Sequence, residues 1–145
     1  MAAASRHDAE GVGRLHKRHY YTVSGIHAGV AVEFLEHAAE EQAHVDRLAR
    51  RIVQLGGEPD FNPETLTARS HAEYDDSLDL IEMVKEDLVA ERIAIASYTE
   101  IVDWLGDGDV TTRCVFEDLP TQEEEHADDL KSLLERLPGA LNSQD

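Results

Sequence analysis

Three long stretches of this chain return to one side at alternating steps of four and three residues. Between residues 28 and 55 the repeat runs through Phe34, Ala38, Glu41, Val45, Leu48, Ile52 and Leu55. Between 75 and 105 it runs through Ile81, Val84, Leu88, Glu91, Ile95, Tyr98, Val102 and Leu105. Between 109 and 137 it is Phe116, Leu119, Glu123, His126, Leu130, Leu133 and Leu137. Steps of three and four bring side chains to one face of an α-helix, and no segment alternates with the period of a strand. Helices that each carry one apolar stripe bury it against one another, so the expected fold is all-α, a bundle.

Glycine and proline set the boundaries. Gly56-Gly57-Glu58-Pro59, Gly106-Asp107-Gly108 and Pro138-Gly139 each end a helical stretch, while Gly11, Gly13 and Gly25 weaken helix near the N-terminus. The resulting helices lie at about 13–24, 28–55, 75–105 and 109–137, the first of them shortened, with a tail at 138–145 that reads as disordered. The 145 residues, 41% hydrophobic, suit one domain spanning 1–145 with one core. The longer helices would span ~42–46 Å at 1.5 Å per residue. The connection at 58–73 is too long for a simple antiparallel hairpin. It reaches from one end of such a bundle to the other, so the helices it joins are expected to be parallel.

Composition narrows the function classes. Lysine plus arginine number 13 against 31 aspartates and glutamates, a net charge of −18. That balance disfavours nucleic acid and anionic membranes as partners and favours cations. Cys114 is the sole cysteine, which excludes an intrachain disulfide and suits a reducing compartment. No run approaches the ~20 apolar residues of a membrane span, and residues 1–6 lack a signal peptide's apolar stretch, so the expected location is cytoplasmic.

The seams are not wholly apolar. Glu41, Glu91, and Glu123 with His126 interrupt them near mid-helix. A buried carboxylate costs several kcal/mol unless something cancels its charge. Three from three facing helices repel, so they must be protonated, meet a basic side chain, or share a cation. Glu41-Gln-Ala-His44 and Glu123-Glu-Glu-His126 are both Glu-x-x-His, which sets carboxylate and imidazole on one face, one turn apart. With 17 glutamates in 145 residues and eight histidines, about one such match arises by accident, so the pattern alone is weak. Its weight comes from register, because both matches fall on the buried stripe beside a third carboxylate. Oxygen donors with one imidazole per ion suit iron or manganese, and a carboxylate can bridge two ions ~3.5–4 Å apart.

The chain resembles the ferritin family, and within it the bacterioferritin and Dps-like group. The matching segments are EHAAEEQAH at 36–44, RIVQLGGEP at 51–59, KEDLVAER at 85–92 and EEEHADDL at 123–130. The resemblance implies a four-helix bundle with a long crossover between the second and third helices and a di-iron ferroxidase centre in each subunit. It implies Glu41 and Glu123 as bridging carboxylates, His44 and His126 each capping one iron, and Glu91 as a terminal ligand, all five metal-binding and the three glutamates catalytic. It further implies iron(II) and dioxygen or peroxide as reactants, and a homo-oligomeric shell.

Three departures accompany the resemblance. The first helix should add a glutamate and, two turns later, a tyrosine. Its seam through Val12, His16, His19, Val23 and Ile26 extrapolates back to Ala9, flanked by Asp8 and Glu10, and His16 occupies the tyrosine's place. The sixth ligand is therefore missing, displaced, or supplied by water or His16. Gln42 stands where a haem-binding methionine would follow the glutamate, so no haem is expected. Pro120, one turn before Glu123, should kink the last helix or open a second segment of it.

Other residues read as structural. His19, Tyr20 and Tyr21 suit core packing or a subunit contact, Tyr98 core packing, and Trp104 packing or an interface. Glu40, Glu124 and Glu125 read as solvated-face charges. His7, His27, His37 and His71 fall near helix ends or exposed faces, and Cys114 carries no redox motif. The functional expectation is oxidation and storage of iron, two ions per subunit. Alternatives are a di-metal oxidase or peroxide scavenger without a mineral store, and a non-enzymatic assembly protein whose site has decayed.

Overall fold

The structure, a computed structural model, describes residues 2–25, 27–62 and 78–138, with residues 2–8 placed by backbone alone. It consists of four helices: α1 (Ala2–Val23), α2 (Ala28–Gln54), α3 (Leu80–Leu105) and α4 (Val110–Arg136). No strand occurs among the described residues, and no described helix is long and apolar enough to cross a membrane. Asp79 caps α3 by accepting from the backbone N–H groups of Ile81 and Glu82, and Asp109 caps α4 by accepting from that of Thr112.

Side-chain pairs give the helix directions. His16 meets Glu91 and His19 meets Asp87, so α1 runs antiparallel to α3. Arg47 pairs with Asp118 and Arg51 with Asp109, so α2 runs antiparallel to α4. Short turns make α1–α2 and α3–α4 antiparallel as well. It follows that α2 and α3 are parallel, as the long connection requires. Its residues 63–73 and the tail at 139–145 lie outside the described residues.

The first helix corrects the expectation. It begins at Ala2 rather than near residue 13 and is not a short stub. Two glycines cost α1 roughly 1 kcal/mol each in helix propensity, but burial outweighs this. Ala9, Val12, Leu15, His16, His19 and Val23 are all buried, Val12 and Leu15 against Ala90 of α3. Gly13 has a positive use, since a Cβ there would stand 2.9 Å from Cβ of Glu41. Its bare backbone lets α1 lie directly over the glutamate of α2.

Of the two expectations for Pro120, the second segment is corrected, because α4 passes through it as one helix without a restart. On α3 the buried stripe turns slightly from the expected seam. Ala94 and Ile101 are buried, while Ile95, Val102 and Leu105 are only partly so.

Two larger apolar clusters fill the bundle beside the small Val12–Leu15–Ala90 contact. One gathers Val23, Phe34, Met83, Val84, Leu88, Leu130 and Leu133. The other gathers Leu48, Ala94, Tyr98, Ile101, Phe116 and Leu119. Between them every helix contributes polar side chains, so the core is cut by one polar layer. Gly13→Ala is expected to lower stability by about 1 kcal/mol, overpacking outweighing the gain in helix propensity. Gly29→Ala, whose Cβ meets nothing within 4 Å, should be neutral or slightly stabilising. Urea unfolding of the two variants checks the contrast.

Candidate metal centre

All five residues expected to bind metal lie in the polar layer, and all are buried. Glu41 and His44 come from α2, Glu91 from α3, and Glu123 and His126 from α4. Glu41, Glu91, Glu123 and His126 each offer one donor atom, all within 4.8 Å of one another. His126 Nδ1 lies 3.7, 3.5 and 3.3 Å from oxygens of Glu41, Glu91 and Glu123. His44 Nδ1 faces two of these carboxylates, 3.4 Å from Glu41 and 3.1 Å from Glu123.

The inner atoms are close but not hydrogen-bonded. Both oxygens of Glu41, both of Glu123, Oε2 of Glu91 and Nδ1 of His44 and His126 are buried without a hydrogen-bond partner. Buried polar atoms are normally satisfied, and so many orphans pointing at one volume fit a cation-binding site. The outer nitrogens are held instead. His44 Nε2 meets Gln122 Oε1, and His126 Nε2 meets Glu40 Oε2. Each contact makes Nε2–H the donor and leaves Nδ1 turned inward as the ligand atom. Glu40 therefore does more than occupy a solvated face, although it is 60% exposed.

The charges are correspondingly perturbed. Burial pushes Glu41 up to about 8, the Glu123 charge adding to the effect while His44 opposes it. Burial also acts to raise Glu123, but His126 and His44 reverse this and hold it well below the usual carboxylate range. Burial works against both imidazolium ions. Glu123 and Glu41 nevertheless lift His44 to about 10, and Glu123 and Glu91 lift His126 to about 11. Protons thus take up the charge that a metal ion would neutralise.

Two polar groups of the layer were not expected there from the sequence. Asp87 is fully buried, bound by His19 Nδ1 at 2.9 Å and 3.2 Å from His16 Nδ1. Burial acts to raise its pKa, but His16 and His19 hold it below the ordinary value. The signal was its place one turn before Glu91, beside rather than on the apolar seam. His37 corrects an expectation of exposure. It is buried, its ring stacked on His126 at 4.2 Å, and burial with the charges of His16 and His126 lowers its pKa to about 3.

Among its described side chains, the first helix supplies no carboxylate to the four-donor set. Ala9 is fully buried, and Glu10 pairs with Arg14 at 3.2 Å. The side chains of His7 and Asp8, like His71, lie outside the described residues. His16 Nε2 instead lies 2.7 Å from Oε1 of Glu91, and its pKa rises to about 10 because Asp87 and Glu91 overcome burial. Tyr98 packs on Phe116 as expected, and His27, Trp104 and Cys114 are exposed.

A family model for the ferritin-like domain matches residues 15–140. The chain belongs to the ferritin-like family. Bacterioferritin of Rhodobacter capsulatus is 34% identical over 118 residues, which cover 76% of this chain and 66% of the relative. The solved bacterioferritin structure from that organism superposes with a TM-score of 0.81 at 26% identity, covering 93% of this chain and 83% of the other. A DNA protection during starvation protein of Halobacterium salinarum is 33% identical over 97 residues, 63% of this chain and 53% of the relative. The dodecameric thioferritin of Bacteroides fragilis, a bacterioferritin-related protein, gives a TM-score of 0.79 at 28% identity, covering 92% of this chain and 83% of its own. The matches thus span 66% and 53% of the length of the two curated relatives.

Two measurements follow. Glu40→Gln should weaken the tightest metal binding by about tenfold, with helix content unchanged, as seen by titration against a competing chelator. His44, His126 and Glu41 all have pKa values above their unfolded ones. Such groups lend stability that is complete below the unfolded pKa and is lost as pH rises through the folded pKa. The metal-free protein should therefore melt at a lower temperature at about pH 9 than at about pH 6.5. Added metal, which displaces the same protons, should flatten the trend; scanning calorimetry reads both.

Proposed function

We propose that the protein binds iron(II) as its substrate in this layer, oxidises it, and stores the product within an oligomeric shell. The observation that carries the reading is the set of orphaned carboxylate oxygens and Nδ1 atoms converging from α2, α3 and α4. Hard, charged oxygen donors stabilise iron(III) over iron(II), which favours loss of an electron. A pair of ions supplies the two electrons that, with two protons, convert dioxygen to hydrogen peroxide, or peroxide to water. The residues named as ligands are Glu41, His44, Glu91, Glu123 and His126, with Glu41 and Glu123 shared between two ions.

The two positions are unequal. One has His126 with Glu41, Glu91 and Glu123; the other, among the described side chains, has His44 with Glu41 and Glu123, and Ala9 adds nothing to it. The first ion is therefore held more tightly than the second. The relatives' names add bacterioferritin, a dodecameric thioferritin and protection of DNA during starvation. A shell of many copies with an acidic inner wall fits a chain of net charge −18, and the same charge argues that protection here works through iron removal rather than DNA contact. Haem has no part in this reading. Gln42 replaces the methionine and donates to Asp46.

Buried Ala9 is the one observation that favours the alternative, an assembly protein with a decayed centre. Anaerobic iron(II) titration followed by air separates the two. The proposed function requires about two irons per subunit bound in two steps of different affinity, then oxidation much faster than in buffer. Glu123→Ala should abolish both. One iron or none, oxidised at the buffer rate, would overturn the proposal. Particle mass by light scattering tests the shell, since isolated bundles or dimers exclude storage.

A further inference from the structure

A second set of donors lies beside the first. His16 of α1, His37 of α2 and Glu91 of α3 are all buried, and one donor atom from each falls within 4.8 Å of the others. His16 and His37 meet edge to face, their ring centroids 5.0 Å apart at 90°. His16 Nε2 already lies 2.7 Å from Glu91 Oε1, a pair that shares a proton which an ion would replace. On its other side His16 Nδ1 lies 3.2 Å from Asp87 Oδ2, at ion-pair distance but without a hydrogen bond. His37 contributes the independent sign. Its Nδ1 is buried without a hydrogen-bond partner, and Nε2 is 4.0 Å from the exposed Asp129.

We infer that His16, His37 and Glu91 form a separate divalent-metal position that shares Glu91 with the carboxylate centre. Two imidazoles and one carboxylate make this position richer in nitrogen than the Glu41–Glu91–Glu123–His126 set. That donor set, with open coordination places, suits zinc, cobalt or iron(II). It gives α1 a metal-binding role through His16 although Ala9 offers none. Glu41 and Glu123 take no part, so the position does not depend on the iron-oxidation reading.

Zinc is the probe. Metal-free wild type, His37→Gln and Glu41→Gln are titrated with zinc by calorimetry, with helix content checked by circular dichroism. The expected result is that His37→Gln binds one zinc fewer per chain than wild type. Glu41→Gln keeps that zinc while losing affinity at the carboxylate centre. Equal zinc stoichiometry and affinity in wild type and His37→Gln would overturn the inference. Should His37→Gln fail to fold, anomalous diffraction from zinc-grown wild-type crystals decides. A peak about 2.0–2.2 Å from nitrogens of both histidines and an oxygen of Glu91 supports the position. Peaks confined to Glu41, Glu123 and their histidines overturn it. Iron oxidation tests the proposed function separately, so either can fail alone.

Discussion

Repulsion among buried carboxylates is the constraint from which the rest of the molecule follows. Glu41, Glu91 and Glu123 converge in a buried polar layer between two apolar clusters, where an ionised carboxylate lacks the hydration it has in water. The metal-free chain accommodates them with protons, keeping Glu41 largely uncharged and His44 and His126 cationic. Those protons are not an equivalent substitute for a metal, because they leave oxygens and nitrogens unsatisfied. Groups so placed are suited to a cation, which would satisfy several of them together. Apolar clusters on both sides stiffen the helices that carry the donors.

The sequence made the bundle legible because its seams are long and regular. It made Glu41, His44, Glu91, Glu123 and His126 legible because charge on an apolar stripe is conspicuous. Where the reading failed, tertiary packing overrode a local rule. Gly11 and Gly13 argued against helix near the N-terminus, yet Gly13 is small because α1 must pass close to Glu41. Propensity weighs a glycine by what it loses alone and is blind to a neighbouring helix that needs the space. His37 was read as peripheral because it lies beside the seam, whereas the stack on His126 places it inside.

Asp87 shows a different reason for failure. It sits next to Leu88, a seam residue, so a stripe one residue wide passes it by. The real buried face of α3 is wide enough to hold both, because α1 covers one flank and α4 the other. His16 and His19, one turn apart on α1, are the partners that make an internal aspartate tolerable. Sequence spacing fixes which residues of one helix share a face. How broad a face the neighbours cover is a property of the assembly, and that breadth decided the polar residues left unread.

Pro120 has no amide hydrogen to offer the carbonyl of Phe116, so one rung of α4 is absent just before the turn that carries Gln122 and Glu123. Gln122 positions His44, and Glu123 lies between the two Nδ1 atoms. The wall of the centre formed by α4 is thus more compliant than the wall formed by α2, whose helix is unbroken through Glu41 and His44. Under the proposed oxidation the bound ion shrinks and draws its ligands inward, and α4, one backbone hydrogen bond short, is the wall with less to hold it back.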